Sequence, residues 1–571
     1  MDWSRTSRYA ITRNCRTAHP IVLCMRVPSD GLAELRQAAD VNGFRRLCWF
    51  DPITGLSAIV IGLIASFFLF GFWYPYWRVA DMDLMIVYKA WLLNDGLPQE
   101  HTHHPGYLTI VLLGLWFQLL HAVGALDAYS LQALPGAANI PAYEHAWTVA
   151  VRSARVESLL IALAFVTTFY LLLQRFLRDR QVAVIGTFAL AFSGGLAMHA
   201  RIVRTELLSA GLITTALLVL LIAAQSPRLR IRPLLLGLAA LLAMLALENK
   251  VQGLLVVCAL PIILLPFGRG DCDPNGFWRC PGRAWPALMV SAACTGALTV
   301  AAAPMFALAQ STNALAIADL HQLAGATVIY QIAVALWIGV GVLVFALVCD
   351  VPMSELLATA GAIVAGCALG LLALNVYYLP QNIIVVLNPF HAMFEWASAS
   401  HLELREARSL LSGAMLRNLF DGLVSTLARQ TFFLQPSSRP TIFLEWLAVA
   451  GAIVAYRRGE RRLALQIGVL IAAALVIDAI GMLRGLKIEY FIFTDPLIVI
   501  ATCLLLVGLP ELRTSVGSYQ VGVALIAAHI LISHVEPVKH AFKNSGPEGA
   551  CDFQSGYFTR LEPFPFCAAP H

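Results

Sequence analysis

Apolar runs long enough to cross a bilayer recur along this chain, separated by short polar stretches. That alternation predicts an all-α polytopic membrane protein with about thirteen transmembrane helices, because only internally hydrogen-bonded helices suit such runs in lipid. The clearer runs are Gly55 to Trp73, Ser153 to Leu173, Val182 to Met198, Leu207 to Ala224, Trp285 to Ala309, Gly325 to Val348 and Leu356 to Leu374. Further on come Ile442 to Tyr456, Leu463 to Met482, Pro496 to Leu509 and Val521 to Ile532. Leu234 to Leu247 and Val251 to Leu265 are short, and they meet at Glu248-Asn249-Lys250. They read as a pair of spans joined by a tight turn.

The stretches between runs carry their own pattern. Asp83 to Leu93 is apolar on most sides, Lys89 and Trp91 included, and predicts an interfacial helix lying along the membrane surface. Leu108 to His121 reads as a second. Apolar and charged residues alternate within 375–440, as in Phe394-Glu395-Trp396 and Leu404-Arg405-Glu406, which predicts further surface helices there. The organisation is then a basic segment over 1–50, a transmembrane domain over 51–534 with a first outer loop at 74–152, and a short tail over 535–571.

Composition excludes a soluble domain. Of 571 residues 59% are hydrophobic and 13% charged, against about 25% charged in soluble proteins. The formal charge of +5 comes largely from arginines between apolar runs, so it speaks to topology and gives no case for nucleic acid. Arginines crowd Met1 to Phe50, which has no signal-peptide core. They recur at Arg175/Arg178/Arg180, Arg228/Arg230/Arg232, Arg269/Arg279/Arg283 and Arg457/Arg458/Arg461/Arg462. With the spans above, all fall on one side, which predicts a cytoplasmic N-terminus and an outward-facing tail. The preference for Arg over Lys points to a GC-rich bacterial genome, hence an inner membrane with the loops and tail periplasmic. Of twelve cysteines, Cys551 and Cys567 lie in that tail, where a disulfide and two free thiols are equally open. Cys272 and Cys280 read as ordinary thiols.

The outward loops also hold the candidate chemistry. They supply Asp81 and Asp83, the His101/His103/His104 group, Arg204-Thr205-Glu206, Glu248/Lys250, and the Arg484, Lys487 and Tyr490 group. A positioned carboxylate serves as a general base toward a hydroxyl. Arg and Lys clamp a phosphate and stabilise charge on a departing one. Plainer roles are open at each position: Asp81 as a helix cap, Arg204–Glu206 as a loop ion pair, Lys250 as a snorkelling side chain, and Arg484, Lys487 and Tyr490 as interfacial anchors. The histidines read first as polar surface, with a divalent metal site as the lesser alternative, so no cofactor is expected; His104 is alternatively a donor to a phosphate.

At these residues the chain resembles the GT-C superfamily of membrane glycosyltransferases, in the branch of the protein O-mannosyltransferases and the lipid A aminoarabinose transferases. Asp83, Leu92-Leu93-Asn94-Asp95-Gly96 and His104-Pro105-Gly106-Tyr107 follow the order of that branch's first-loop motifs. Arg155 matches an Arg opening the second span, Arg204-Thr205-Glu206 an Arg-Thr-Asp element, Asn249-Lys250 a Thr-Lys-Gly element, and Glu489-Tyr490 with Pro496 a late Arg-Tyr-x-x-Pro element. Gly106 departs from the second Pro of the family's turn, Glu206 from its Asp, and Asp81-Met82-Asp83 from its Asp-Glu. No Trp-Trp-Asp signature of oligosaccharyltransferases is present. The resemblance implies inverting transfer of one sugar from a polyprenyl-phosphate donor to a lipid, glycan or protein acceptor at the outer face. Asp83, or Asp81 beside it, would be the base; Arg204 and Lys250 would hold the phosphate, and Glu206 would orient the acceptor or a cation.

Two other classes stay open: a transporter or lipid flippase, and a non-catalytic envelope scaffold. Convergence of Asp83, Arg204, Glu206 and Lys250 on one outward cavity is what the enzyme requires and a scaffold does not.

Overall fold

The computed structural model describes residues 52–100, 106–225, 232–268, 353–381, 441–482, 488–509 and 547–567, with isolated positions between 336 and 346, at 385, between 417 and 427 and between 524 and 535. All belong to one compact unit, Pro52–His571. Among the described residues every regular element is helical.

In chain order the helices are α1 (Pro52–Phe70), α2 (Met85–Asn94), α3 (Tyr107–Ala122), α4 (Ile140–Leu177), α5 (Arg180–Ala191), α6 (Gly194–His199) and α7 (Thr205–Gln225). They continue with α8 (Arg232–Asn249), α9 (Gly253–Leu264), α10 (Met353–Tyr378), α11 (Ile442–Arg457), α12 (Arg461–Met482), α13 (Asp495–Gly508) and α14 (Glu548–Tyr557). Six described helices are long and apolar enough to cross a membrane: α1, α4, α7, α8, Leu356–Tyr378 of α10 and Arg461–Gly481 of α12. The chain is a multi-pass membrane protein. The run at Trp285 to Ala309 and most of Gly325 to Val348 lie outside the described residues, as do part of Val521 to Ile532 and the 1–50 segment.

Local chemistry explains where helices begin and break. α4 opens at Asn139, whose side chain accepts from Ala142 N, with Pro141 in the first turn. It runs 38 residues, roughly 57 Å at 1.5 Å per residue, so it projects well beyond the Ser153 to Leu173 run. It ends at Arg178, whose left-handed backbone (φ 57°) turns the chain. Asp179 then caps α5 by accepting from Gln181 N and Val182 N, both at 3.0 Å. The expected single span from Val182 to Met198 is broken in two. α5 stops at Ala191 and Ser193 caps α6 by accepting from Leu196 N; a Ser followed by two glycines favours a fresh start over continuation.

The main core lies among α1, α4, α5, α7, α8, α9, α11, α12 and α13, around residues such as Phe165, Phe169, Leu217 and Ile498. α8 and α10 approach so closely that a Cβ on Gly366 would collide with the Gly237 carbonyl, the small-residue packing that suits helices in lipid. At the start of α12, Arg462 donates to the carbonyls of Pro266 and Gly268, just past α9.

A second core stands apart. It joins α2, α3, the N-terminal half of α4 and the tail around Trp91, Trp147, Phe117 and Phe564. Here the structure corrects the sequence reading. α2 does not lie along a surface: every residue from Leu84 to Leu92 is buried, because a helix apolar all round must be enclosed. The tail is likewise no loose end. α14 and the turn after it are closed by a Cys551–Cys567 disulfide, and Phe564 packs on Trp147, Tyr76 and Tyr143.

Candidate functional site

The π-helical turn Ala80–Leu84 leads from α1 into α2 and carries the two aspartates. Their environments differ completely. Asp83 is fully buried. Its Oδ2 accepts from Arg155 Nε at 2.8 Å and lies 2.7 Å from Arg155 Nη2, and its Oδ1 accepts from Val203 N at 2.7 Å. Arg155, from the middle of α4, spends its remaining donors on the carbonyls of Tyr74 at 2.7 Å and Pro75 at 3.1 Å. Burial pushes the Asp83 carboxyl up from its ordinary value, while Arg155 and the Val203 amide pull it down and Asp81 adds repulsion. This is a clamp that fixes the turn against α4 and the 200–204 link. Asp81, on the same turn, is exposed.

The link that Asp83 holds runs straight into the cationic group. Glu206 sits in the first turn of α7, where a carboxylate complements the helix dipole. It is fully buried, with Lys250 Nζ 2.9 Å from Oε1 and Arg204 Nε 3.7 Å from Oε2. Lys250 arrives from the α8–α9 turn, as expected for a short tight connection, and its side chain is 12% exposed. Lys89 of α2 is buried too; burial lowers its ammonium to about 8, and Lys250 adds repulsion. Lys250 and Arg204 thus share one carboxylate while a further cation approaches Lys250, so positive charge exceeds negative among these four side chains.

Asn249 ties the three segments together. Its Oδ1 accepts from Thr109 N at 2.9 Å and Thr109 Oγ1 at 3.0 Å, and its Nδ2 donates to the Thr205 carbonyl at 2.7 Å. The start of α3 is thereby held on the start of α7. A Cβ on Gly106 would come within 2.6 Å of Thr205 Cγ2, so the close approach of the two segments requires Gly here. Tyr378 at the end of α10 closes the same corner, donating to the Tyr107 carbonyl at 2.9 Å.

Arg204, Glu206 and Lys250 are therefore joined by direct ion pairs, and Asp83 is tied to them only through the Val203 amide, one residue before Arg204; Asp81 lies on the Asp83 turn. Tyr490 lies half-buried in the 3₁₀ turn Ile488–Phe493, which packs against α6 and α7. His101, His103, His104, Arg484 and Lys487 lie outside the described residues. Among the described residues no three His, Cys, Asp or Glu side chains gather as metal ligands. Sequence reasoning missed Lys89 as a site residue, because a lone Lys in an apolar helix reads as a snorkelling side chain. It also missed Thr109, which nothing but the fold brings to Asn249.

No protein-family model matches the chain, and no curated protein sequence matches it. Among solved structures, the apo oligosaccharyltransferase of Archaeoglobus fulgidus aligns with 91% of this chain at 13% identity and a TM-score of 0.41. The chain spans 61% of that protein's length. A likeness of that degree carries no argument about activity.

Proposed function

We propose that this protein is a membrane glycosyltransferase of GT-C type that moves a sugar from a polyprenyl-phosphate donor to a hydroxyl acceptor, with inversion, at the periplasmic face of a bacterial inner membrane. The observation that carries the reading is the cation cluster of Arg204 and Lys250 on one buried carboxylate, with Lys89 beside it, where the ends of apolar helices meet. Cations placed there suit a lipid-borne phosphate, whose negative charge grows as the glycosidic bond breaks. A phosphate leaves as a stable anion, so the donor side needs charge more than a proton.

The base is Asp81. Asp83 has no oxygen to spare, since both accept donors from the protein, whereas Asp81 is exposed on the same turn. Asp83 and Arg155 are then positioning residues that fix the angle of the turn. Asp81 takes the acceptor proton as the acceptor oxygen attacks the anomeric carbon opposite the phosphate. Glu206 keeps Arg204 and Lys250 together, and His104, Arg484, Lys487 and Tyr490 are proposed, from their order in the sequence alone, as further phosphate-binding residues.

Purified protein in liposomes, given radiolabelled polyprenyl-phosphate sugars and a mixed acceptor extract, tests this directly. The expected result is label leaving the lipid for an acceptor, with Asp81→Asn inactive yet folded and still binding donor. Label crossing the bilayer on intact lipid would mean a flippase instead.

A further inference from the structure

At the C-terminal end of α1, guanidiniums gather on a run of aromatic rings. Arg152 of α4 stands immediately before the Ser153 to Leu173 apolar run, and its Cζ lies 5.5 Å from the Phe72 ring centroid and 5.1 Å from that of Trp73. Half-buried, it has no hydrogen bond or ion pair among the described residues. Arg201 crosses the same place. Its Cβ lies 2.8 Å from where a Cβ on Gly71 would stand, its Cζ is 5.5 Å from the Phe70 ring, and its Nη2 donates to Ser66 Oγ. It is buried, its Nη1 has no hydrogen-bond partner, and among the described residues no carboxylate pairs with it. Arg78 and Arg155 lie over the Tyr74 ring, at 4.6 and 5.8 Å, and the Tyr74 hydroxyl is within electrostatic reach of Arg201, Arg78 and Arg155 together. Asp83 neutralises Arg155. Arg152 and Arg201 keep their charge uncompensated within one short stretch, Phe70 to Tyr74.

An aromatic face attracts a guanidinium but accepts none of its in-plane hydrogen bonds, so Arg152 is oriented without being satisfied. What lies next to it is lipid. α1 is the least enclosed of the six described spans, with 22% of its apolar window buried against 33% or more in the others. Ile61, Phe68, Leu69 and Trp73 are exposed along it. Acyl chains therefore run beside α1, and tryptophan at the end of such a span settles at the level of the headgroups. A phosphate at that level meets Arg152, and a charge-assisted hydrogen bond from guanidinium to phosphate is stronger than a neutral one. We infer that the end of α1 is a docking surface for the phosphate of an anionic bilayer phospholipid, received by Arg152, with Arg201 and Arg78 adding positive charge along the same segment. The surface is separate from the Arg204–Glu206–Lys250 group and does not depend on the donor reading. It is joined to the Asp83 turn by Arg155, which pairs with Asp83 and donates to the Tyr74 carbonyl.

The test measures lipid binding by the full-length protein, stripped of lipid in detergent, by native mass spectrometry. Dioleoyl phosphatidylglycerol binds about tenfold tighter than dioleoylglycerol, which has the same chains and no phosphate, as two arginines at a lipid phosphate allow. Arg152→Gln weakens phosphatidylglycerol about fivefold, the worth of one arginine at an anionic membrane surface. It gives up no hydrogen bond or ion pair, so the variant folds. Arg152→Lys, which keeps the charge, stays within about twofold of the wild type by the same reckoning. Phosphatidylglycerol with brominated chains locates the lipid: at limiting lipid it quenches wild-type tryptophan fluorescence more than that of Trp73→Phe, and Arg152→Gln falls to the Trp73→Phe level. Unchanged phosphatidylglycerol affinity in Arg152→Gln, equal binding of dioleoylglycerol, or quenching that Trp73→Phe does not alter overturns the assignment. A matching loss of farnesyl phosphate binding in Arg152→Gln also overturns it, because that arginine then serves the phosphate of a prenyl donor.

Discussion

Replacing Asp83 with Asn removes one charge from a pair that has no access to water. Arg155 would keep the Tyr74 and Pro75 carbonyls at 2.7 and 3.1 Å, but its guanidinium would face an amide nitrogen in place of the carboxylate oxygen at 2.7 Å. Breaking a buried pair from one side costs about 3–5 kcal/mol, most of it the uncompensated partner. Arg155→Met strands Asp83 in the same way and carries a similar loss. The double variant strands no charge: the Asn oxygen still accepts from Val203 N and Met fills the guanidinium's stem, while the Tyr74 and Pro75 carbonyls lose their donor as they do in Arg155→Met alone. Its destabilisation is therefore smaller than the sum of the singles by about 2–3 kcal/mol. SDS titration of purified protein in mixed micelles, followed by tryptophan fluorescence, measures all three. Singles that add to within about 0.5 kcal/mol would refute the clamp. The double variant also separates positioning from catalysis, since it retains measurable transfer if Asp83 only holds the turn and none if Asp83 is the base.

Gly106→Ala drives a Cβ into Thr205 Cγ2 and destabilises by about 1–3 kcal/mol; adding Thr205→Ser, which deletes that methyl, recovers most of the loss in a thermal melt. Reducing the Cys551–Cys567 bridge frees the tail, so trypsin cleaves after Arg560 at least several-fold faster, an effect that Glu100→Ala reproduces because Thr559 and Arg560 are anchored on Glu100. Lys89 has its pKa lowered to about 8 by burial. Farnesyl phosphate binding accordingly weakens as pH rises through that value, and Lys89→Met flattens the titration. The sign for stability is the opposite: the unfolded lysine holds its proton to a higher pH, so the unliganded fold gains stability as pH climbs from about 8 toward the ordinary lysine value, which SDS titration at pH 7.5 and 9.5 reads.

The helical class and the positions of the six described helices long enough to span were legible because length and apolarity determine both. α7, α8, α11 and α13 begin and end within two residues of the runs that predict them. The break at Ser193 was present in the Ser-Gly-Gly triplet, but the apolar residues on either side concealed it. α2 was misread because an all-apolar helix with one lysine has the composition of a surface anchor, and only the tail packed over it shows that it is enclosed. At the site, the order of charged residues along the chain was readable, and their contacts were not. Two aspartates at adjacent alternate positions look equivalent in sequence. Arg155, dozens of residues away, is what makes one of them a clamp.

The account depends most on cations from separate loops forming one phosphate site. Phosphorus NMR of farnesyl phosphate titrated with the wild-type protein in micelles tests that directly, against a Glu206→Gln/Lys250→Met variant that removes one charge of each sign. The account predicts a saturable shift and broadening with wild-type protein, weakened at least tenfold in the variant. Equal binding to both proteins, or no saturable change with either, contradicts it.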